Sequence, residues 1–255
     1  MSLARLVSRL RGPQGCPWDA EQTDATIRIY LLEEAYEVLE ALEDASPKEV
    51  CLELGDLLFQ ILFLAQLASE REEFDFVDVV EGITEKMIRR HPHVFGKTMV
   101  DGSHDVSLNW AKIKSAEKGA SQGVASLLKD VPANLPALLR AHRLSERASK
   151  VGFDWVDADQ VWDKVNEEFE ELGSAIKEGD ADAVTEEMGD LLFSIVNLAR
   201  HWGSNAESLM RLTNKKFLAR FEGMERRLIS SGIDIEDATL AQMNKVWEEQ
   251  KKKGG

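Results

Sequence analysis

The sequence predicts an all-α protein built from two similar helical halves. Apolar residues recur with the 3.6-residue period of an amphipathic helix, and no run of alternating β-branched residues is bounded by hairpin turns. Five acidic residues of the first half reappear in the second after a constant shift of 134 positions, from Glu33 and Glu167 through to Asp56 and Asp190. A repeat of this length indicates two copies of one helical unit.

The two halves follow the same order of elements. Each opens with a Trp/Asp segment before a helix, residues 16–19 or 152–155, and continues with two long helical patterns. A cationic helix follows in each half. Each half then closes with Trp-x-x-x-Lys, beginning at Trp110 or Trp247. The repeat therefore covers most of the chain.

A small, polar, glycine-containing stretch separates the two copies at residues 115–126. The chain has 255 residues, which is enough for two domains of ordinary size. We predict one module at residues 1–118, a linker at 119–134 and a second module at 135–255.

The composition is that of a folded, acidic protein. Hydrophobic residues make up 44% of the chain, and 46 Asp and Glu against 31 Lys and Arg give a formal charge of -15. That charge disfavours the sequence-independent binding of nucleic acid, which depends on basic surface. The two cysteines, Cys16 and Cys51, form no metal-ligand pattern and suit a reducing compartment.

The sequence predicts a cytoplasmic location without a membrane partner. Residues 1–11 are amphipathic but lack the apolar core of a signal peptide. The most apolar segment, residues 57–68, contains Gln60 and Gln66 and is too short by itself to span a bilayer.

One acid in each half interrupts a core-facing apolar stripe. The first long helix of each copy lacks its apolar member at i+7, where Glu34 or Glu168 stands instead. Burying an ionised carboxylate without a partner is costly, so the same interruption in both copies indicates a function. The remaining members of the stripes are Ile27, Leu31, Val38 and Leu42 in the first copy and Val161, Val165, Leu172 and Ile176 in the second.

The second long helix of each copy carries one narrow polar line on an otherwise apolar rod. Helical residues three or four apart face the same side, so each line presents two carboxylates. Antiparallel packing would add the two acids of the preceding helix and bring four carboxylates around one cavity. The four acids are Glu34, Glu37, Glu53 and Asp56 in the first copy and Glu168, Glu171, Glu187 and Asp190 in the second.

Four converging carboxylates repel one another unless a cation neutralises them. Mg²⁺ fits such a site, because it takes oxygen ligands, keeps waters and is commonly completed by substrate phosphates. A dinuclear iron site is disfavoured, because the Glu-x-x-His pairs of such bundles are missing from these helices. The segment His91-Pro92-His93 has no counterpart in the second half and is interpreted as a helix-terminating turn.

Paired cations on the next helix could bind a phosphate chain. Lys216 and Arg220 lie at i and i+4, as do Lys86 and Arg90 in the first copy, so each pair can present two donors. We interpret Trp247 and Trp110 as packing residues, with a place beside a base or phosphate pocket as the alternative.

These features together resemble the MazG family of nucleoside triphosphate pyrophosphohydrolases. The resemblance rests on the Cys-Pro-Trp-Asp start, the paired EExxE and ExxD motifs, the segment Arg-Arg-His-Pro-His-Val-Phe and the duplicated layout, and it covers nearly the whole chain. It implies tandem MazG-type helical modules that form four-helix-bundle-like cores through homodimerisation. It also implies Mg²⁺-dependent cleavage of NTPs and dNTPs to the monophosphate and pyrophosphate, with the hydrolysis carried by the C-terminal module.

The resemblance also implies a role for particular residues. The metal ligands would be the four acids of each copy, and Glu167, Glu168, Lys216 and Arg220 would act in catalysis. The first copy departs from the second by Phe63, which stands where the second has Asn197. The residues that would line the nucleotide site are Lys164, Glu167, Glu168, Lys216, Phe217, Arg220 and Trp247.

The expected reaction is in-line attack of an activated water on the triphosphate, with pyrophosphate as the leaving group. Glu167 or one of the ligating carboxylates would accept the proton of that water. Two alternatives stay open from the sequence. One is a non-catalytic helical protein that binds a partner or a regulatory nucleotide. The other is a diphosphatase of a related all-α family that prefers dUTP or dCTP.

Overall fold

The computed structural model describes residues 1–44, 46–102, 105–106, 109–110, 113, 117 and 128–253. Every regular element within these ranges is a helix, which confirms the all-α prediction. The chain divides into two compact units, Met1–Gln122 and Gly123–Gly255. Most of the predicted linker, residues 119–127, lies outside the described residues, and the predicted module boundaries stay a prediction.

Among its described residues, the first unit contains three short helices, a long helical hairpin and a cationic helix. Its elements are α1 (Leu3–Arg11), α2 (Pro17–Glu21), α3 (Asp24–Asp44), α4 (Pro47–Glu70), α5 (Phe76–Arg90) and α6 (Pro92–Phe95). The second unit repeats the hairpin and the cationic helix. Its elements are α7 (Ala137–Ser149), α8 (Ala158–Glu178), α9 (Ala181–His201), α10 (Ala206–Ser230) and α11 (Leu240–Lys253).

Local sequence fixes the ends of the hairpin helices. Ser46 and Glu49 form a capping box at the start of α4, and the Asp180 side chain accepts hydrogen bonds from two backbone N–H groups at the start of α9. Gly179 ends α8 in the left-handed backbone conformation, with φ of 73°, which is unfavourable for a residue with a side chain. Such short connections make α3 and α4, and likewise α8 and α9, antiparallel neighbours.

Each unit has its own apolar core. In the first unit, Val7 of α1 packs with Ile27, Leu62, Phe63 and Leu67 of the hairpin. The buried core residues of the second unit come mainly from α8, α9 and α10. They include Val161, Val165, Ala175, Val196, Ala206, Met224 and Leu228.

The predicted apolar stripes are buried only in part. Ile27 and Val38 are buried in α3, and Val161 and Val165 in α8, but Leu42 and Ile176 at the far ends are 61% and 57% exposed. The prediction that these last members face the core is therefore wrong within the described residues. Leu42 and Ile176 instead belong to an exposed apolar face on each hairpin. Other exposed apolar residues of the hairpins include Ile29, Leu32, Leu52 and Leu54 in the first unit and Trp162, Phe169, Met188 and Leu192 in the second.

Helix α4 is longer than the apolar segment that the sequence suggests. Over 18 residues its mean hydropathy is 1.7, so by length and composition alone it could cross a membrane, contrary to the argument from residues 57–68. A core helix passes the same test. Leu62, Phe63 and Leu67 of α4 pack in the core, and Glu53 and Asp56 place two acids along it.

Candidate active site

The hairpin of the second unit brings three carboxylates together. Glu168 and Glu171 lie one turn apart on α8, Glu187 lies on α9, and one oxygen of each lies within 4.8 Å of the others. Glu168 is buried at 5% exposure, in the apolar stripe where the sequence placed it. Asp190, one turn beyond Glu187, is exposed and lies outside this trio, although its charge acts on Glu187.

A lysine supplies the buried Glu168 with a partner. The Nζ atom of Lys164 lies 2.8 Å from an oxygen of Glu168 and 2.8 Å from an oxygen of Glu167, one turn along α8. The hydrogen bonds to these two carboxylates raise the pKa of Lys164, so this side chain stays cationic. Glu167 is exposed and thus borders the cluster from the solvent side.

The cluster retains excess negative charge. Desolvation raises the pKa of Glu187, and the nearby carboxylates of Glu171 and Glu168 raise it further. An all-oxygen donor set of crowded carboxylates on two rigid helices is the chemistry that a hard divalent cation such as Mg²⁺ takes. The residues present therefore fit a divalent metal ion, and Lys164 adds one positive charge beside them.

The predicted phosphate-binding residues form a separate group. On α10, Phe217 packs against Trp247 of α11 with ring centroids 5.3 Å apart. Lys216 and Arg220 flank Phe217 on α10, and no ion pair among the described residues engages either one. Nor does a hydrogen bond within the described ranges join this group to the acidic cluster.

The first unit has the matching acidic trio but with different neighbours. Oxygens of Glu34, Glu37 and Glu53 lie within 4.8 Å of one another, and Asp56 adds its charge nearby. The Nε2 atom of Gln60 donates a hydrogen bond of 3.2 Å to Glu34. Desolvation raises the pKa of Glu34, while the hydrogen bond from Gln60 partly offsets that rise.

The cationic helix of the first unit is already paired. Arg90, the counterpart of Arg220, lies 2.5 Å from the carboxylate of Glu117, and Arg89 lies 2.7 Å from the same group. These two arginines lower the pKa of Glu117 to about 2. The guanidinium of Arg90 also lies 4.8 Å from the ring centre of Trp110, in cation–π geometry. His91 ends α5, as expected of a helix-terminating turn.

Sequence reasoning missed a cavity of about 520 Å³ in the second unit. It lies between α7, the segment that precedes α8 and the second half of α9, and its wall includes an ion pair between Asp154 and Arg200 at 2.9 Å. The Trp/Asp segment at residues 152–155 stands out in the sequence. The ion pair that its Asp154 forms with Arg200, 46 positions away, does not.

Comparisons with known proteins agree with this architecture. The model of the MazG nucleotide pyrophosphohydrolase domain matches residues 22–95 and 158–223. A nucleoside triphosphate pyrophosphohydrolase of Escherichia coli (strain K12) is 44% identical over 253 residues, which is 98% of this chain and 96% of the relative. The nucleoside triphosphate pyrophosphohydrolase/pyrophosphatase MazG of Thermotoga maritima is 41% identical over 99% of this chain and 95% of its own length.

A third relative has a longer chain. The uncharacterized protein YabN of Bacillus subtilis is 43% identical over 96% of this chain, and the match covers 50% of the relative. The two segments that match the domain model cover the two helical hairpins, and the relatives match nearly the whole length of this chain. The chain belongs to the MazG nucleotide pyrophosphohydrolase family, with two copies of the domain in tandem.

Proposed function

We propose that this protein hydrolyses nucleoside and deoxynucleoside triphosphates, ATP among them, to the monophosphate and pyrophosphate in a Mg²⁺-dependent reaction. The observation that carries the proposal is the buried Glu168, held in a trio of carboxylates and paired with Lys164. The names of the E. coli and T. maritima relatives support the same activity. A role in clearing the nucleotide pool of unwanted triphosphates follows from that activity.

The residues divide the work between metal and phosphate. Glu168, Glu171, Glu187 and Asp190 would hold the metal ion, which when bound neutralises phosphate charge and activates water. Lys164 faces the same cluster and attracts the anionic triphosphate to it. Glu167 or a carboxylate of the set takes the proton of the attacking water as the bond between the α and β phosphates breaks.

Lys216 and Arg220 provide free positive charge for the phosphates, and Phe217 with Trp247 supports the helix that carries them. Because no hydrogen bond or ion pair joins this group to the acidic cluster among the described residues, we propose that assembly completes the site. The exposed apolar face of α8 and α9 is half of a four-helix bundle, and a second copy of the chain would cover it. We therefore propose a homodimer that works in the cytoplasm.

The test is pyrophosphate release by the purified protein from the four ribonucleoside and four deoxyribonucleoside triphosphates, with Mg²⁺ and with a chelator. We expect release from several of these nucleotides and none with the chelator. Release confined to dUTP or dCTP would indicate the selective diphosphatase. Nucleotide binding without release would indicate the non-catalytic alternative.

The metal-site assignment is tested by Glu168→Ala and Asp190→Ala. We expect both variants to lose hydrolysis and to keep their helix content by circular dichroism. Turnover at the wild-type rate in both variants would remove the proposed site. Sedimentation velocity measures the dimer, and a monomer at micromolar concentration would contradict that part of the proposal.

A further inference from the structure

The cationic helix α5 of the first unit carries three positive side chains on one face. Lys86, Arg89 and Arg90 are spaced i, i+3 and i+4, and residues at these spacings are neighbours on a helix surface. Glu117 pairs with both arginines. Among the described residues, no ion pair engages Lys86, and Glu85 of the same helix pairs with none of the three cations. One paired carboxylate therefore faces three cations.

Glu117 lies on the two arginines in the way that an anionic ligand would. One of its oxygens accepts a hydrogen bond of 2.7 Å from Nε of Arg89, and the other accepts bonds of 3.0 and 2.5 Å from Nε and a terminal nitrogen of Arg90. These bonds lower the pKa of Glu117 to about 2, so the carboxylate stays ionised. Guanidinium N–H groups match the oxygens of a phosphate as well as those of a carboxylate. The same donors can therefore hold a phosphate group.

The ring of Trp110 holds one of these arginines in place. The guanidinium of Arg90 lies 4.8 Å from the centre of that ring, and the Arg90 side chain is 14% exposed. Stacking uses the face of a guanidinium and leaves the N–H groups at its edge for an anion. Because the side chain is already ordered, it loses little freedom when an anion binds.

The repeat relates this set to the cations of the second unit. We have proposed that the cations of α10 bind the substrate phosphates, and the inference rests on the proposed function in this respect. Helix α5 has one cation more than α10, because Ala219 stands at the position of Arg89. The corresponding pairs are Lys86 and Lys216, Arg90 and Arg220, and Trp110 and Trp247.

We propose that the cationic face of α5 is a second phosphate-binding site, which takes a diphosphate group in exchange for the carboxylate of Glu117. A diphosphate has more negative charge and more acceptor oxygens than a carboxylate, so it can engage Lys86 together with the two arginines. Glu117 is then a competitor built into the protein, and it weakens the binding of any anion to this face. The ligand binds without a chemical step.

The test is pyrophosphate binding to the full-length Arg220→Ala protein, measured by calorimetry in metal-free buffer. Arg220→Ala removes a phosphate donor of the second unit, and the lack of metal prevents hydrolysis. We expect one pyrophosphate to bind per chain. In this background Glu117→Gln should tighten binding about 10-fold, because it removes a charged competitor for the arginine donors.

Two further variants weaken the site from the other side. Arg90→Ala should weaken pyrophosphate binding at least about 10-fold, through the loss of a charge-assisted hydrogen bond. Lys86→Met should weaken it about threefold, and this change leaves the fold intact, because the exposed Lys86 has no partner among the described residues. Thermal unfolding verifies the folding of each variant. Unchanged affinity in Lys86→Met and in Glu117→Gln would overturn the inference.

Glu146→Gln is the matched control for Glu117→Gln. Glu146 also pairs with two cations, Arg143 at 2.7 Å and Lys150 at 3.2 Å, but it lies on α7 of the second unit. Its replacement should leave pyrophosphate affinity unchanged. Equal tightening in both variants would show an effect of net charge alone and would overturn the inference.

Titrations with ADP and with orthophosphate identify the ligand class. Tighter binding of ADP than of pyrophosphate would indicate a nucleotide as the ligand, and the reverse would indicate the pyrophosphate product; both results support a diphosphate site. Orthophosphate bound as tightly as either would overturn the diphosphate assignment. These measurements involve neither metal nor turnover, so they are separate from a failure of the proposed function, which would show as no pyrophosphate release by the wild type.

Discussion

The two units hold the same acids on the same helices, but they surround them differently. Near the first trio, Gln60 hydrogen-bonds Glu34, while the position equivalent to Lys164 is Tyr30. Near the second trio, Lys164 bridges Glu167 and Glu168. An acidic cluster therefore does not define an active site by itself, because its neighbours decide whether an anionic substrate can approach.

The cations and the cavity extend the same contrast. Arg90 is neutralised by Glu117, whereas its counterpart Arg220 has no ion pair within the described ranges. Phe63 belongs to a core, whereas its counterpart Asn197 faces a cavity. In the first unit both positions are therefore engaged by the protein itself, Arg90 in an ion pair and Phe63 in the core. We infer that the second unit turns over nucleotide and that the first is a metal-binding or supporting module.

The largest expected difference between the units comes from removing one carboxylate charge from each in turn. Glu168→Gln should lower kcat by at least about 100-fold, because the residue would ligate the metal and its loss leaves Lys164 without its buried partner. Glu34→Gln, the matched change in the first unit, should leave kcat within about twofold. Initial rates of pyrophosphate release, with circular dichroism to verify folding, measure both.

Comparable loss of kcat in the two variants would contradict this division of labour. It would show that both units turn over or that the first controls the second. A full loss in Glu34→Gln alone would place the active site in the first unit.

The repeat made much of the hairpin site predictable. The shift of 134 positions places Glu34 and Glu168 at matching interruptions of two apolar stripes, and helical geometry alone then pairs each acid with its neighbour one turn on. Capping residues such as Ser46 and Asp180 fix the hairpin ends locally. The residues that determine each of these local features lie within a few positions of one another in the sequence.

Contacts between distant segments could not be predicted in this way. Gln60 meets Glu34 across 26 positions and Arg90 meets Glu117 across 27, so neither pairing follows from spacing on one helix. The sequence showed Phe63 against Asn197 as a difference, but only the packing of α1 on α4 makes one a core residue. Tertiary contact decides which of two equivalent positions lines a cavity.

The second largest effect concerns the cationic helices. Arg220→Ala should lower kcat/KM by about 10- to 100-fold, the usual range for one hydrogen bond to a charged group, and should leave the melting temperature unchanged. Arg90→Ala should do the reverse. It should lower the melting temperature, because it breaks the pair with Glu117 and the contact with Trp110, and it should leave kcat/KM within about twofold.

Steady-state kinetics and differential scanning calorimetry on the same preparations measure both quantities. A fall in kcat/KM in both variants, or a fall in melting temperature in both, would show that the two cationic helices have the same role.

A smaller effect is expected from Lys164→Met, which removes the cation from the acidic cluster. Without nucleotide, Mg²⁺ should bind about fivefold more tightly, since a partly exposed ion pair is worth on the order of 1 kcal/mol. With nucleotide, KM should rise, because the same lysine attracts the phosphates. Lys177→Met, on the exposed last turn of the same helix, is the control and should alter neither quantity. Weaker Mg²⁺ binding in Lys164→Met would show that the lysine organises the acids and does not oppose the metal.

The smallest effect is a pH dependence of stability in the metal-free protein. The raised pKa of Glu187 means that the folded state binds more protons than the unfolded state above the ordinary value of 4.5. The carboxylate therefore destabilises the fold as pH rises through that window, and Glu187→Gln should raise the metal-free melting temperature more at pH 7.5 than at pH 5. His142 acts in the opposite direction, because burial lowers its pKa, but its contribution is the same in wild type and variant and cancels.

Glu34→Gln should give a smaller difference between the two pH values, because the hydrogen bond from Gln60 already favours the ionised form of Glu34. Melting curves of the three proteins in chelator test this order, and an equal or larger difference in Glu34→Gln would show that the two clusters carry the same electrostatic strain.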